Sequence, residues 1–166
     1  MYSNIIQLET RPISETGTLT TSYFDDEEMQ WFFYDIADSV GEDDYPNTID
    51  NFISYLQLGN PYVEVFNDEK EKWIVFHEGF VRSFFEWFYP SFEEYLQRLV
   101  ENASIEAFCN GFEMKNLLYP LNMIVDDKYG IYIMSSEMGL QTLDRFIRRI
   151  EPEKKYYIGG TVEYHS

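Results

Sequence analysis

Apolar residues recur at two different periods along this chain, and each period predicts one kind of element. Residues 2–9 (YSNIIQLE) and 17–24 (GTLTTSYF) are rich in β-branched and aromatic residues, which predicts two strands around a turn. Between residues 27 and 40 the apolar positions follow helical spacing: Met29, Phe32, Phe33, Ile36, Ala37 and Val40. This stripe predicts an amphipathic helix. A second helix is expected from Thr48 to near Gly59, burying Ile49, Phe52, Ile53 and Leu56.

The middle of the chain predicts a hairpin followed by helices. PYVEVF (61–66) and WIVFH (73–77) flank the charged turn NDEKEK, and helical spacing begins again after residue 79. Pro90 should end that helix, and Ser91 with Glu94 forms a capping box for a new one. The new helix is expected to bury Phe92, Tyr95, Leu96, Leu99 and Val100. Residues 104–118 fit no single period, and their structure stays open.

The last third of the chain reads as a second hairpin, a helix and a strand. LNMIV (121–125) and IYIMS (131–135) predict the hairpin, and a helix should run from Ser135 or Ser136 to Ile150. YYIGGTVEY (156–164) predicts the strand, with a bulge or bend at its Gly-Gly pair.

The order hairpin, serine cap and helix occurs at both 61–100 and 121–150, so an internal duplication is one interpretation. The predicted fold is α+β: a single domain over 1–166, with a mostly antiparallel sheet of hairpins and about five helices packed on it.

Composition is consistent with a folded cytoplasmic protein. Apolar residues make up 45% of the chain and aromatic residues 19%, enough for a sizeable core. No apolar run approaches the roughly 20 residues that span a bilayer, and the N-terminus lacks the features of a signal peptide. Cys109 is the single cysteine, so no disulfide can form within the chain. These observations predict a cytoplasmic location.

Charge changes the picture most. The net charge is −18, and the 58 residues between Arg11 and Lys70 hold 14 acids and no Lys or Arg. Such a surface repels nucleic acid and anionic lipid and attracts basic proteins, so direct nucleic-acid or membrane binding is not expected. Solubility alone is the competing interpretation. However, like charges at helical spacing destabilise a helix slightly, and lysines placed among them would remove that cost.

We therefore expect a partner-binding face in the acidic segment. Trp and Tyr are enriched at the centres of interfaces, so two aromatic residues beside the acids are included, although a sheet or helix could cover them instead. The predicted face consists of Glu28, Asp35, Asp38, Glu42, Asp43, Asp44, Asp50, Trp31 and Tyr34.

The sequence carries no catalytic signature. His77 beside Glu78 lacks a nucleophile at a telling distance, and a hydrogen-bonded histidine at a strand end is the simpler interpretation. GEDDYPNTID lacks the alternating ligands of a calcium loop, and no glycine-rich phosphate loop occurs. We expect no catalytic residues, no metal and no cofactor. A basic cluster at Arg145, Arg148, Arg149, Lys154 and Lys155 favours internal ion pairs or a contact between copies, as in a homodimer.

One stretch resembles a known family. Residues 59–101 present Gly59, a strand at 62–66, a charged turn, a strand ending at His77, and a serine-initiated SFEEYL segment at 91–96. This arrangement resembles the second half of the SUKH superfamily of bacterial toxin-immunity proteins. The resemblance implies a protein that binds and neutralises toxin domains, many of which are nucleases.

Charge and resemblance together predict a non-enzymatic inhibitor of a basic partner, specifically an immunity protein against a nuclease toxin or similar nucleic-acid-binding enzyme. The alternative is a DNA mimic from a phage or mobile element that inhibits a host defence nuclease, of the anti-restriction or anti-CRISPR type. A mimic should present an extended double row of carboxylates, and an immunity protein a compact patch with aromatic anchors.

Overall fold

The computed structural model describes residues 2–24, 37–39, 44–125 and 130–165, and the predicted α+β class is confirmed. Within these ranges seven strands form one sheet: β1 (Tyr2–Glu9), β2 (Ala37–Ser39), β3 (Val63–Asn67), β4 (Lys72–Phe76), β5 (Tyr132–Ser135), β6 (Gly139–Thr142) and β7 (Lys155–His165). The helices in these ranges are α1 (Ile13–Thr16), α2 (Tyr45–Gln57), α3 (Phe80–Asn102), α4 (Ile105–Cys109), α5 (Gly111–Val125) and α6 (Leu143–Ile147), with a 3-10 turn at Thr21–Tyr23.

The sheet is built around its last strand. The strand order is β3-β4-β7-β1-β5-β6, and β2 pairs with the second half of β7. Every pair is antiparallel except β1 with β5, which run parallel. Among the described strands, β3 and β6 stand at the two ends of this order and are edge strands.

Each face of the sheet carries its own apolar cluster. On the first face, α2, α3 and α6 cover Ile6, Leu8, Ile74 and Ile133. On the second face, Leu19 from the segment after α1 packs on Ile5, Tyr132, Met134, Val162 and Tyr164. The helices α4 and α5 contribute to neither cluster.

A buried glutamine joins the second face to the segment that covers it. Gln7 Oε1 accepts hydrogen bonds from the backbone N–H of Leu19 at 2.8 Å and of Gly160 at 2.9 Å. The register passes from Ile6 opposite Thr161 to Leu8 opposite Ile158, so β7 holds an extra residue there. The predicted bulge at Gly159-Gly160 is therefore confirmed, and it admits the Gln7 side chain.

Several predicted elements are confirmed. β1 has the predicted bounds, the hairpin of β3 and β4 surrounds the charged turn, and β7 contains the predicted last strand. In α2, Ile49, Phe52, Ile53 and Leu56 are buried as expected, but the helix begins at Tyr45 because Pro46 is accepted in its first turn.

Two predictions near the N-terminus are wrong. Residues 17–24 form no strand. The backbone groups of Gly17 and Leu19 are hydrogen-bonded to the Gln7 side chain, and Thr21–Tyr23 forms a 3-10 turn. The helix predicted for 27–40 cannot reach its proposed end, because residues 37–39 form β2 and pair with β7. Tertiary pairing outweighs the helical period at this end, and residues 25–36 lie outside the described ranges.

The predicted helix start at Ser91 is also wrong. α3 runs unbroken over Phe80–Asn102 with Pro90 inside it. Proline removes one backbone hydrogen bond, which this helix accommodates, and α5 packs against α3. Ser91 is therefore a residue of the helix interior. The residues expected to be buried beyond it are only partly buried or exposed: Phe92, Tyr95, Leu96, Leu99 and Val100.

The second hairpin lies later in the chain than predicted. Residues 121–125 are the last turns of α5, and the hairpin consists of β5 and β6. Gly139 adopts a φ of 68° at the start of β6, which a helix starting at Ser135 or Ser136 could not accommodate. Only Leu143–Ile147 of the predicted helix is helical. A hairpin followed by a helix does occur twice, at opposite edges of the sheet, and an internal duplication stays a prediction.

Candidate protein-binding surface

A groove of about 540 Å³ lies between α2 and the turn that joins β3 to β4. Four acids and two lysines supply its charged lining: Asp50, Asp68, Glu69, Glu71, Lys70 and Lys72. Ile13 and Thr18 line it from the N-terminal segment, and Tyr45 and Pro46 from the start of α2. We call this surface the acidic groove.

The turn at the groove is held by its own carboxylate. Asp68 Oδ1 accepts hydrogen bonds from the backbone N–H groups of Lys70 and Glu71, both at 2.8 Å. These two bonds lower the pKa of Asp68, and the bond from Lys70 has the larger effect. The two bonds therefore stabilise both the shape of the turn and the ionised form of Asp68.

Two further contacts fix the walls. Glu71 accepts hydrogen bonds from the Ser14 hydroxyl at 2.9 Å and from the Ser14 backbone N–H at 3.2 Å, which joins the turn to α1. The Tyr45 hydroxyl donates to the Gly159 carbonyl oxygen at 2.6 Å, which joins α2 to β7. Burial raises the pKa of Tyr45, so the hydroxyl remains a donor at neutral pH. A partner would meet a preorganised surface.

The acids of the groove are only partly compensated. Lys72 lies 3.0 Å from Asp50, in an exposed ion pair of the kind that contributes about 0–1 kcal/mol. Glu69 and, beside the groove, Asp44 are exposed and have no ionic or hydrogen-bond partner for their carboxylates among the described residues. These carboxylates remain available to an incoming cation.

The structure brings one of the predicted face residues into the groove, places a second beside it, and puts a third on a strand. Asp50 lines the groove, and Asp44 stands at the first turn of α2. Asp38 was expected on a helical face, but it lies in β2 opposite Glu163 of β7, because that segment is a strand. The other predicted residues lie outside the described ranges: Glu28, Asp35, Glu42, Asp43, Trp31 and Tyr34.

Sequence reasoning missed the contribution of the β3–β4 turn. Asp68, Glu69 and Glu71 were recognised only as a charged loop within a hairpin. Their signal was present, since NDEKEK places three acids in six residues at the tip of a hairpin. The contact of that tip with α1 and α2 joins residues more than 20 positions apart, which a local pattern cannot reveal.

His77 follows β4 directly and is hydrogen-bonded, as predicted, but its partner is not Glu78. Its Nδ1 lies 3.0 Å from the Glu153 carboxylate, and its Nε2 lies 3.5 Å from Glu64. The hydrogen bond to Glu153 raises the pKa of His77. The imidazole therefore joins the β3–β4 hairpin to the segment before β7, which is a structural role.

The basic cluster near the C-terminus makes internal contacts, in accord with one of the two interpretations. Arg148 pairs with Asp144 one turn earlier in the chain and lies 4.3 Å from the centre of the Phe85 ring. Lys154 bonds Glu151 at 3.0 Å, and Lys155 lies 4.3 Å from the Trp73 ring centre. At least these three cations are thus already engaged within the chain.

Residues 89–125 form a largely exposed helical arm. In this range only Ala107 and Leu121 are buried, while Phe108 and Phe112 are 70% and 73% exposed. Trp87, just before the arm, and Tyr89, at its start, are also exposed. Exposed apolar side chains in this number are typical of contact surfaces.

Within the described ranges, no group of three or more His, Cys, Asp or Glu residues has the geometry of a metal site. Among those same residues, no helix is long and apolar enough to cross a membrane.

Comparisons with known proteins gave no relative. The chain matches no family model, no curated protein and no solved structure.

Proposed function

We propose that this protein binds a basic protein and blocks it, and that the partner is a nuclease toxin to which it confers immunity. The observation that carries the proposal is the acidic groove: the Asp68 carboxylate holds its turn, and the carboxylates of Glu69 in the groove and Asp44 beside it have no partner among the described residues. A nuclease presents a cationic surface to the phosphates of its substrate, and carboxylates can occupy that surface in their place.

The net charge supports the same proposal through association kinetics. A chain of charge −18 attracts a basic protein over distances well beyond contact, and such steering raises association rates by roughly 10- to 1000-fold. The groove then supplies a defined end point for that attraction. The protein acts by occupation of the partner's surface and catalyses no reaction, in the cytoplasm where a nuclease toxin meets its substrate.

An immunity role is favoured over DNA mimicry by the shape of the described acidic surface. Asp50, Asp68 and Glu69 line one groove, and Asp44 lies beside it at the start of α2, an arrangement that suits a single tightly bound partner. An extended double row of carboxylates, suited to many DNA-binding proteins, is the arrangement expected of a mimic. The part of the SUKH resemblance that rests on the β3–β4 hairpin supports the same choice.

Capture from the native host tests the proposal. The tagged protein is expected to retain a basic protein at low salt and to release it as salt is raised. That protein, expressed alone, should degrade nucleic acid and arrest growth, and co-expression of the acidic chain should restore growth. Capture of non-basic proteins only, or a captured nuclease that stays active in the complex, would contradict the proposal.

A further inference from the structure

The backbone of the β3–β4 hairpin shows which polar groups of β3 point away from the sheet. The His77 N–H donates to the Tyr62 carbonyl and the Asp68 N–H donates to the Glu71 carbonyl, both at 2.9 Å. The register between these two bonds has no shift. Hydrogen-bonded pairs alternate in an antiparallel ladder, so Glu64 and Phe66 bond to β4, and Val65 and Asn67 direct their N–H and C=O groups outward.

This outer edge is open. β3 stands at the end of the strand order, and no strand of the described ranges pairs with its outer side. Glu64, Phe66 and Asn67 are exposed, and Val65 is partly buried. Natural edge strands are usually protected by charged side chains, above all lysine, by proline or by a bulge, and of these β3 has only the acidic Glu64.

The charge along the edge selects what can pair with it. Glu64 lies on β3, and Asp68 and Glu69 follow it directly, with no basic residue between 64 and 69. Opposite charges on neighbouring strands stabilise a sheet and like charges destabilise it. A second copy of β3 would bring carboxylates against carboxylates, so self-pairing is disfavoured and a basic strand is favoured.

An aromatic side chain adds a second contact. Phe66 is 40% exposed and stacks on Trp73 with ring centres 5.8 Å apart, on the same sheet face as Glu64. An arginine or lysine of an added strand could lie over the Phe66 ring while its neighbour pairs with Glu64. The turn that ends this edge also lines the acidic groove, so one partner could contact both.

We propose that β3 accepts a basic β-strand of the partner, which extends the sheet by one strand through backbone hydrogen bonds to Val65 and Asn67. This inference rests on the proposed function, because it assigns the mode by which the basic partner binds. Backbone bonds supply affinity, and Glu64, Phe66, Asp68 and Glu69 supply the preference for cationic side chains.

A defined probe tests the edge without knowledge of the partner. The probe is a ten-residue peptide of alternating lysine and valine, with a peptide of alternating glutamate and valine as its charge control. Amide exchange at Val65 and Asn67 should slow by roughly tenfold or more with the lysine peptide only. Exchange at Leu140, on the opposite edge, should not change. Unchanged exchange at Val65 and Asn67, or equal slowing at Leu140, would overturn the proposal.

Proline substitutions provide the matched test with the captured partner. Val65→Pro removes an outward N–H group of β3 and leaves the hydrogen bonds to β4 intact. Leu140→Pro does the same on β6. The Leu143 N–H donates to the Ile131 carbonyl, and the alternation from that pair directs the Leu140 N–H away from β5. Both side chains are partly buried, so their packing losses are comparable. Asn67→Pro, at an exposed position, serves if Val65→Pro does not fold.

The outcomes separate the two proposals. Strand addition predicts at least a tenfold loss of partner affinity for Val65→Pro or Asn67→Pro, and retained affinity for Leu140→Pro. Full affinity in the folded β3 variants, with loss on neutralisation of the groove acids, overturns strand addition and leaves the proposed function standing. Failure to capture any basic protein overturns the proposed function, while the lysine peptide still reports on the edge.

Discussion

Lys72 Nζ lies 3.0 Å from Asp50 Oδ1 and joins β4 to α2 at the acidic groove. The pair is exposed, so its loss should change the free energy of unfolding by less than about 1 kcal/mol. Lys72→Met keeps most of the side-chain stem and removes a cation from the groove. A basic partner should then associate faster, with a steeper dependence on salt, as measured by stopped-flow mixing.

Lys115→Met is the control for this change. Lys115 is exposed on α5, outside the groove, so its removal makes the same change in net charge at another place. An equal acceleration in both variants would show that the association rate depends on net charge and not on the charge of the groove.

The bulge in β7 makes a sharp prediction about stability. A Cβ at Gly159 would lie 2.0 Å from Gln7 Oε1, and a Cβ at Gly160 would lie 2.1 Å from the Leu19 carbonyl oxygen. Either Gly→Ala substitution should lower the free energy of unfolding by about 1–3 kcal/mol or more, since the buried contacts must separate. Gly111→Ala has open space and should be neutral or slightly stabilising. Urea denaturation of the three variants measures this, and equal stabilities would refute the described packing around Gln7.

The contact between His77 and Glu153 predicts how stability depends on pH. Because the folded-state pKa of His77 is raised above its ordinary value of about 6.5, the stabilisation is full below that value and is lost as pH rises through the folded pKa. The parent should therefore exceed Glu153→Gln in stability at about pH 5.5, and the difference should shrink by about pH 8.5.

Titration of His77 by NMR gives the same test at one residue. Its midpoint should fall in Glu153→Gln and stay unchanged in Glu78→Gln, the neighbour in sequence. A midpoint that moves with Glu78 and not with Glu153 would mean that the wrong carboxylate has been assigned.

A continuous α3 reverses the sign expected for Ser91. As an N-cap, Ser91→Ala would cost about 0.5–2 kcal/mol, but inside a helix alanine is the better residue, and the variant should be equal or slightly more stable. Pro90→Ala should stabilise α3 further, because it restores a backbone donor. A thermal melt showing that Ser91→Ala is clearly less stable would mean that a helix does begin there.

Elements that depend on local patterns were predicted well from the sequence, and elements that depend on distant contacts were not. The apolar stripe of α2 and the hairpin of β3 and β4 are local patterns, and both were predicted with nearly correct bounds. Ser91 also satisfied a local rule, but its segment is continuous with the preceding helix, which packs against α5 in a contact that no local pattern reports. Residues 37–39 were misassigned for the same reason, since their partner β7 lies more than 100 positions away.

The candidate site was predictable in its chemistry more than in its position. The cation-free segment directed attention to Asp50, which lines the groove, and to Asp44, which lies beside it at the start of α2. Glu71 could not be included on that criterion, because it lies beyond Lys70, and its place in the groove depends on the fold of the turn against α1. The open edge of β3 likewise depends on strand order, which the sequence does not specify.

The most direct measurement of the central claim compares two triple variants with the same net charge. The groove variant carries Asp44→Asn, Asp50→Asn and Glu69→Gln, and the control carries Glu94→Gln, Glu106→Gln and Glu113→Gln on the helical arm. Both raise the net charge from −18 to −15, and all six side chains are exposed. Denaturation melts first establish that both remain folded.

Association of each variant with the basic protein recovered from the host is then measured at two salt concentrations. The account predicts that the groove variant associates about tenfold or more slowly, with a flatter salt dependence, while the arm variant stays within about threefold of the parent. Equal rates for the two variants would contradict the account, because they would show that binding depends on total charge and not on the acidic groove.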